Sequence, residues 1–123
     1  MKQRATVICR RGRQLLFVRR GKSRWNLPGG RPMRSESLMQ AAFRELEEET
    51  GMKPAEMLLI ARFETLSVEH FVSVADFDKD YFAPMPLSEI TACKWFSDDA
   101  KGLRLTTDSE LILRTFRKDI RTI

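Results

Sequence analysis

Short apolar runs separated by a glycine turn open the chain. Residues 5–9 and 15–20 are rich in Val, Ile, Leu and Phe, and residues 10–14 between them contain Gly12. Side chains of this kind favour β-strands, and two such runs joined by a short turn are typical of a β-hairpin. The pattern therefore predicts a first strand over residues 5–9 and its hairpin partner over residues 15–20.

Further strand-like segments lie in the second half of the chain. Residues 58–66 and 71–77 carry enough apolar and aromatic side chains for two strands, and residues 94–96 predict a short third one. Residues 78–86 include Pro84 and Pro86, which predict a loop.

Two helices are predicted from the spacing of apolar residues and from capping signals. The first spans residues 38–50, with Ser37 and Gln40 as a capping box and Gly51 as the stop. The second opens at a capping box formed by Thr107 and Glu110, and continues through the apolar positions Leu111, Ile112, Leu113 and Phe116. The elements together predict a mixed β-sheet between helices.

Composition limits the class of protein. The chain has 123 residues, of which 42% are hydrophobic and 32% charged, and this suits one soluble domain over residues 1–123. The apolar run 5–9 is too short for a signal peptide, and no stretch reaches membrane-spanning length. Cys9 and Cys93 are the only cysteines, so we expect buried thiols in a reducing cytoplasm rather than a disulfide framework or a cysteine zinc site.

Charge is distributed unevenly along the sequence. Of the 22 Lys and Arg residues 11 precede Glu36, whereas all 17 Asp and Glu residues lie from Glu36 onward. Cations from the early strands are suited to neutralising substrate phosphates. The best placed lie between the second strand and the sequence LPGG, and we expect them to bind substrate: Arg19, Arg20, Lys22 and Arg24.

Three carboxylates share one face of the first predicted helix. Glu45, Glu48 and Glu49 have the i, i+3, i+4 spacing of helical neighbours, and they continue the apolar stripe of Ala41 and Ala42. Unpaired charges that face a core are costly, so this arrangement favours a bound cation. Hard divalent cations such as Mg²⁺ bind oxygen ligands, and the glycine turn just before the helix offers accessible carbonyls.

The segment from Gly30 to Met52 resembles a complete Nudix box, through nine matching positions: Gly30, Glu36, Arg44, Glu45, Leu46, Glu48, Glu49, Gly51 and Met52. The resemblance implies a Nudix hydrolase with an α/β/α sandwich fold. It also implies a pyrophosphohydrolase that acts on a nucleoside diphosphate linked to another group, with Mg²⁺ or Mn²⁺ as cofactor. Many relatives are dimers, although the sequence itself does not indicate an oligomeric state.

The same resemblance implies residue roles. Glu48, Glu49 and the Gly29 carbonyl would be metal ligands, and Glu45 would be a ligand or the base that activates water. Glu45 and Glu48 both remain candidates for that base. Glu36 and Arg44 would hold the loop against the helix, and we expect structural roles for Gly30 and Gly51 as well.

One further glutamate is predicted outside the box. Many Nudix relatives place a glutamate shortly before the Trp of a late strand, where it reaches the metal or the attacking water, and Glu89 matches that pattern loosely. Asp76, Asp78 and Asp80 compete for this role. We expect His70 to be packed or solvated, Trp25 and Trp95 to anchor the core or a loop, and we keep base stacking by Trp25, Trp95, Phe63 or Phe82 as an alternative.

The sequence leaves the substrate open. The short chain with its basic first part most resembles Nudix members that convert a nucleoside triphosphate, including an oxidised one, to monophosphate and pyrophosphate. The rival among enzymes is hydrolysis of the 5′-triphosphate end of RNA, because a net charge of +5 suits a nucleic-acid backbone. A domain that binds nucleotide or RNA without turnover is the third hypothesis.

Overall fold

A computed structural model describes all 123 residues of the chain. It has eight elements, in the order β1 (Lys2–Arg11), β2 (Gln14–Arg19), β3 (Gly29–Gly30), α1 (Leu38–Thr50), β4 (Leu58–Glu64), β5 (Val68–Asp76), β6 (Ala92–Ser97) and α2 (Thr107–Thr122). No helix combines the length and the apolar composition that crossing a bilayer requires.

The strands form one mixed sheet in the order β4-β5-β1-β2-β6. β1 and β5 run parallel over their whole length, whereas β1–β2, β2–β6 and β4–β5 are antiparallel. The short strand β3 pairs with the beginning of β1, where Gly30 lies opposite Ala5 and Gly29 opposite Thr6. This pairing places the two glycines at the end of the sheet where β1 starts.

The sheet separates two hydrophobic cores, because alternate residues of a strand point to opposite faces. On one face Ile8 packs in a cluster with Ile112 and Leu113 of α2. On the other face Val7 and Cys9 pack in a cluster with α1 side chains, namely Ala41, Ala42 and Leu46. The predicted α/β/α arrangement with a mixed sheet is therefore confirmed.

The first helix has the predicted bounds and caps. Ser37 Oγ accepts a hydrogen bond from the Gln40 backbone N–H at 3.0 Å, and Gln40 Oε1 accepts one from the Ser37 N–H at 2.9 Å. Gly51 ends the helix in a left-handed conformation with φ of 76°. The capping box and the glycine stop thus fix the position of α1 along the sequence.

The predicted cap of the second helix is wrong by one residue. The N-cap is Thr106, whose side chain accepts from the Ser109 N–H, so Thr107 is already helical and no capping box with Glu110 forms. Thr106 Oγ1 also donates to Asn26 Oδ1 at 3.0 Å. This tertiary contact selects the earlier of two adjacent threonines, a choice that the local sequence does not determine.

Strand boundaries differ from the predictions by a few residues. β1, β2 and β6 each extend beyond or shift from their predicted ranges, β4 ends at Glu64, and β5 already begins at Val68. Pairing with β1 explains the early start of β5, because Lys2 lies opposite Val68. β3 had no counterpart among the predicted strands, since a two-residue glycine strand depends entirely on its partner.

Candidate active site

A cleft of about 450 Å³ opens where β3, the end of α1 and the segment after β2 meet. Its lining is mostly polar, with Glu45 and Glu49 on one wall and several arginines on the others. The β2–β3 segment is held by antiparallel bridging of Asn26 to Val18 and by a bridge between Trp25 and Leu105. These contacts fix the cleft walls on both sides of the glycine strand.

Glu49 is a buried carboxylate at the bottom of the cleft. Only 4% of the residue is exposed, and its Oε1 accepts a hydrogen bond from the Gly29 N–H at 3.0 Å. Burial raises the pKa of Glu49 to about 7, although the Gly29 hydrogen bond and the nearby Arg4 act in the opposite direction. A carboxyl group of this kind gains strongly from an added positive charge.

Glu45 lies directly against Gly30. A Cβ atom added to Gly30 would come within 2.3 Å of the Glu45 carboxyl carbon. No residue other than glycine fits there unless the Glu45 side chain moves. The two glycines thus serve different carboxylates, since Gly29 donates to Glu49 and Gly30 leaves room for Glu45.

Glu48 is not among the residues that line the cleft. Its side chain is 49% exposed and both of its oxygens accept from Arg44 Nη1, at 3.1 and 3.3 Å. The same Arg44 nitrogen donates to Glu45 Oε1 at 3.0 Å. Arg44 therefore separates two of the three carboxylates and neutralises part of their mutual repulsion.

Glu36 and Arg44 join the loop to the helix. Arg44 Nε and Nη2 donate to the two oxygens of Glu36 at 2.7 and 2.9 Å, and Nη2 also donates to the Arg31 carbonyl at 3.0 Å. Glu36 accepts in addition from the Met33 N–H, and its hydrogen bonds with Arg44 lower the pKa of the Glu36 carboxyl. This network connects the segment after β3 to α1.

No three acidic, histidine or cysteine side chains lie close enough together here to hold a metal ion in their present positions. The donor set still fits a hard divalent cation, because Glu45 and Glu49 share the cleft and Glu48 lies one helical turn from Glu45. Because Gly30 has no Cβ, the Glu45 carboxyl lies directly beside the glycine backbone. The metal role of Gly29, Glu45, Glu48 and Glu49 remains a prediction.

The four predicted substrate-binding cations divide between two cavities. Arg20 and Arg24 line the cleft. Arg19 and Lys22 instead line a neighbouring cavity of about 340 Å³, which Arg24 also reaches. The Arg19 guanidinium lies over the Trp25 ring at 4.9 Å, and its buried Nε has no hydrogen-bond partner.

Arg20 connects the predicted outer glutamate to the cleft. It lies 3.6 Å from a Glu49 oxygen through Nη2 and 3.4 Å from a Glu89 oxygen through Nη1. The Glu89 side chain is 76% exposed. Its competitor Asp76 is held by Arg10, with an Nε–Oδ1 distance of 2.6 Å, and is not part of the cleft lining.

Several residues of the cleft are not among those predicted from the sequence. Arg4, Asn26, Arg31 and Thr106 all line it. Asn26 lies directly before the LPGG sequence, which was a usable signal, whereas Thr106 comes from the cap of a distant helix. Arg4 lies just before the first predicted strand, and only the pairing of β1 with β3 shows that this end of β1 faces the cleft.

The remaining candidates are packed rather than placed in the cleft. His70 is 2% exposed, and Cys9 is buried. Trp25 and Phe63 pack against the core on the α2 side, and Trp95 against the core on the α1 side. Phe82 is 53% exposed and stacks on Tyr81 outside the cleft lining.

The family model for the NUDIX domain matches residues 1–114 of this chain. The chain belongs to the Nudix family. This membership confirms the resemblance that the segment from Gly30 to Met52 indicated, and it places the chain among the Nudix hydrolases. The cleft lies within the matched residues, since its furthest lining residue along the chain is Thr106.

Individual relatives support the assignment. A Nudix hydrolase family member from Chromobacterium violaceum superimposes with a TM-score of 0.83 at 30% identity, covering 96% of this Nudix chain and 77% of that protein. An RNA pyrophosphohydrolase of Haemophilus influenzae (strain PittEE) is 42% identical over 55 residues, which are 44% of this chain but only 28% of the relative.

A third relative shows the fold with ligands bound. It is a bifunctional NMN adenylyltransferase/ADP ribose pyrophosphatase from Francisella tularensis, complexed with AMP and a Mn ion. Its TM-score is 0.79 at 22% identity, covering 96% of this chain and 41% of that one. The likeness is one of fold.

Proposed function

We propose that this Nudix chain is a divalent-metal-dependent pyrophosphohydrolase that acts on a nucleoside polyphosphate. One observation carries the proposal: two carboxylates, Glu45 and Glu49, face the same cleft as Arg20 and Arg24. Carboxylates that bind Mg²⁺ or Mn²⁺ and arginines that bind phosphate are what a polyphosphate substrate requires in one place.

The chain's own residues have distinct roles in this proposal. Glu45, Glu48, Glu49 and the Gly29 carbonyl hold the cation, which when bound polarises the phosphoryl oxygens and helps to activate water. Arg20 and Arg24 bind phosphate oxygens, with Arg19 and Lys22 extending the positive surface into the adjacent cavity. Arg44 and Glu36 hold the segment after β3 against α1.

A glutamate takes the proton of the attacking water. Glu45, at 16% side-chain exposure, lines the cleft, whereas the more exposed Glu48 does not. Both accept from Arg44, so both depend on the same guanidinium for their position. Glu89, whose carboxylate lies 3.4 Å from Arg20 Nη1, assists the base in this proposal.

The test compares glutamate variants on a single helix. Glu45→Gln, Glu48→Gln and Glu49→Gln are assayed with Mg²⁺ for release of monophosphate and pyrophosphate, and Glu47→Gln is the matched control. Glu47 lies on the same helix but pairs with Lys53 at 3.2 Å on the exposed side. Since all three glutamates hold the cation in this proposal, we expect each of the three variants to weaken Mn²⁺ binding. The variant of the base should in addition lose roughly 10²–10⁴-fold in turnover at saturating Mn²⁺.

Two outcomes of this assay would count against the proposal. Wild-type activity in the Glu48→Gln and Glu49→Gln variants would remove the metal assignment. Absence of turnover in the wild-type protein with any nucleotide, together with tight binding, would favour a non-catalytic binding module instead.

For the substrate we propose a nucleoside triphosphate, including an oxidised one, which the short chain and the arginine-lined cleft suit. The 5′-triphosphate end of RNA is the second candidate, favoured by the named activity of the Haemophilus influenzae relative and by the net charge of +5. Both substrates present the same triphosphate group to the cleft.

The two substrates differ in their dependence on salt. A longer RNA contacts more cations outside the cleft, so its KM should rise steeply between 50 and 200 mM salt, as phosphate contacts in nucleic-acid complexes do. A free nucleotide bound inside the cleft should respond much less. Kinetics with a nucleoside triphosphate and with a short 5′-triphosphorylated RNA at both salt concentrations decide between them.

A further inference from the structure

Arg4 is an arginine without a carboxylate partner. It lies on β1, is half-buried, and lines the cleft close to Glu45 and Glu49. None of the ion pairs in the structure includes it, so no carboxylate oxygen lies within 4.0 Å of its guanidinium. Glu49 and Glu45 act on its charge only from beyond that distance, so the half-buried guanidinium gains from an anion that contacts it directly.

Two hydrogen bonds hold the Arg4 guanidinium. Nη1 donates to Thr6 Oγ1 at 3.1 Å, and Nη2 donates to the Leu27 carbonyl at 3.0 Å. A guanidinium has five N–H donors. Three therefore remain for a ligand, in the planar arrangement that suits phosphate oxygens.

A chain of buried polar groups fixes the Thr6 hydroxyl. Thr6 Oγ1 lies 2.7 Å from His70 Nδ1, and His70 Nε2 lies 2.7 Å from Asp108 Oδ2. Thr6 is fully buried, and His70 is 2% exposed. Three elements thus contribute to the chain, namely β1, β5 and the first turn of α2.

The direction of the hydrogen bonds in this chain follows from its two ends. The Asp108 carboxylate only accepts, so His70 donates to it from Nε2, and Nδ1 of a neutral ring is then an acceptor. Thr6 therefore donates its hydrogen to His70 Nδ1 and accepts from Arg4, which only donates. Burial lowers the pKa of His70, against the effect of Asp108, and this agrees with a neutral ring.

We propose that Arg4 binds an anionic phosphate oxygen of the substrate, and that Thr6, His70 and Asp108 are positioning residues that orient its guanidinium. This inference rests on the proposed function for the identity of the substrate. Its structural basis is separate, because Arg4 comes from the first strand, before the segment that carries the glutamates. The chain of hydrogen bonds reaches the cleft from the α2 side of the sheet.

Binding of inorganic pyrophosphate in the presence of EDTA tests Arg4 without requiring turnover. Isothermal titration of Arg4→Gln should show affinity weakened roughly ten- to hundredfold relative to wild type, the range for a hydrogen bond to a charged group. Arg114→Gln is the matched control, because Arg114 is an exposed arginine paired with Glu110 on α2. Unchanged affinity in a folded Arg4→Gln variant would overturn the inference.

Two variants of Thr6 test its role in positioning Arg4. They also test the inference if Arg4→Gln does not fold. Thr6→Val is nearly isosteric but lacks the hydroxyl, whereas Thr6→Ser retains it. We expect Thr6→Val to weaken pyrophosphate binding about three- to tenfold and Thr6→Ser to bind like wild type. Equal affinities for the two variants would overturn the positioning role.

Kinetics separate this inference from the proposed function. In an active enzyme, Thr6→Val should raise KM for the nucleotide more than it lowers kcat, because it disturbs binding rather than the glutamates. If the wild-type protein hydrolyses no nucleotide and Arg4→Gln still weakens pyrophosphate binding, only the hydrolase proposal is refuted. Full activity with wild-type KM in Arg4→Gln would refute the role of Arg4 alone.

Discussion

Neighbouring residues of the same type have different environments in this cleft. Glu48 and Glu49 are adjacent in the sequence, yet the Glu48 side chain is 49% exposed and the Glu49 side chain only 5%. Burial raises the pKa of Glu49 to about 7, whereas Glu48 pairs with Arg44 outside the cleft lining. A helical turn of 100° per residue is sufficient to produce this difference.

Gly30→Ala should leave the fold intact and reduce catalysis. The added Cβ would lie 2.3 Å from the Glu45 carboxyl carbon, which is the end of a flexible side chain and can move away. We expect a loss of at least about a hundredfold in kcat/KM, typical of a displaced acid–base group, with little change in the melting temperature. Enzyme assay and thermal unfolding measure the two effects.

Gly12→Ala is the control for that substitution. Gly12 has φ of 59° in the β1–β2 turn, and no atom lies within 4 Å of its added Cβ. It should therefore show the opposite result, with a stability cost of about 1 kcal/mol and normal activity. Normal kinetics in Gly30→Ala would contradict the importance of the Glu45 position.

Glu49 should make the metal-free protein less stable as the pH rises. Its carboxyl has a pKa of about 7 in the folded state and an ordinary value of 4.5, so the folded state holds the proton over this interval. This raised pKa stabilises the folded state by about 3 kcal/mol at pH values below about 4.5. The stabilisation is lost as the pH rises through about 7. Urea unfolding in EDTA at pH 5 and 7.5 measures it.

Other carboxylates also titrate in this interval, so the comparison with Glu49→Gln isolates the effect. This variant has no proton to lose, and its stability should fall less than that of wild type between the two pH values. An identical pH dependence in both proteins would mean that Glu49 is ionised throughout in the folded state.

The N-cap of each helix determines where along the sequence the helix begins. α1 begins at a capping box that its own sequence supplies through Ser37 and Gln40. α2 begins at Thr106, whose hydroxyl accepts from the Ser109 N–H and donates to Asn26 Oδ1. The cap of α2 is thus also a contact between the second helix and the segment before β3.

Thr106→Ala should destabilise the protein more than Thr107→Ala. Loss of an N-cap threonine costs about 1 kcal/mol, and loss of the Asn26 hydrogen bond adds to it. Thr107 is exposed in the first helical turn, so its substitution by alanine should change stability by less than about 0.5 kcal/mol. Urea unfolding of both variants gives the comparison, and a larger loss in Thr107→Ala would place the cap at Thr107.

At the scale of the whole molecule, ion pairs connect the ends of the sheet to α2. Asp98, just after β6, accepts from Arg121 Nη2 at 2.7 Å and from Nε at 3.0 Å, and from Arg13 in the β1–β2 turn at 3.2 Å. Arg10 on β1 donates to carbonyl groups of Ile120 and Ile123. The end of α2 is therefore tied to the end of the sheet where β1 finishes.

Asp98→Asn should lower the stability at neutral pH by roughly 2 kcal/mol, because it leaves two arginines without their shared carboxylate. Hydrogen bonds from Arg121 lower the pKa of Asp98 from its ordinary 3.8. Its contribution is present above that ordinary value and is lost as the pH falls through the lower folded pKa. Thermal unfolding at pH 7 and pH 3.5 should show a smaller difference between wild type and variant at the lower pH.

The sequence by itself determined the features that depend on local spacing. Periodicity and caps predicted both ends of α1, because each cap acts within one turn of its own helix end. Ser37 and Gln40 cap the beginning, and Gly51 caps the end. The apolar runs identified five strands, although their ends were imprecise because strand length depends on the partner, as Val68 opposite Lys2 shows. The glutamate spacing and the nine matching positions sufficed to predict the family.

Only the tertiary structure decided which side chains share the cleft. Arg4 and Asn26 enter it because β3 pairs with β1, and Thr106 enters because α2 packs across the same end of the sheet. The burial of Glu49, in contrast, already follows from its place on the inward stripe of α1. Pairing between distant strands is a property of the packed chain, and no local pattern encodes it.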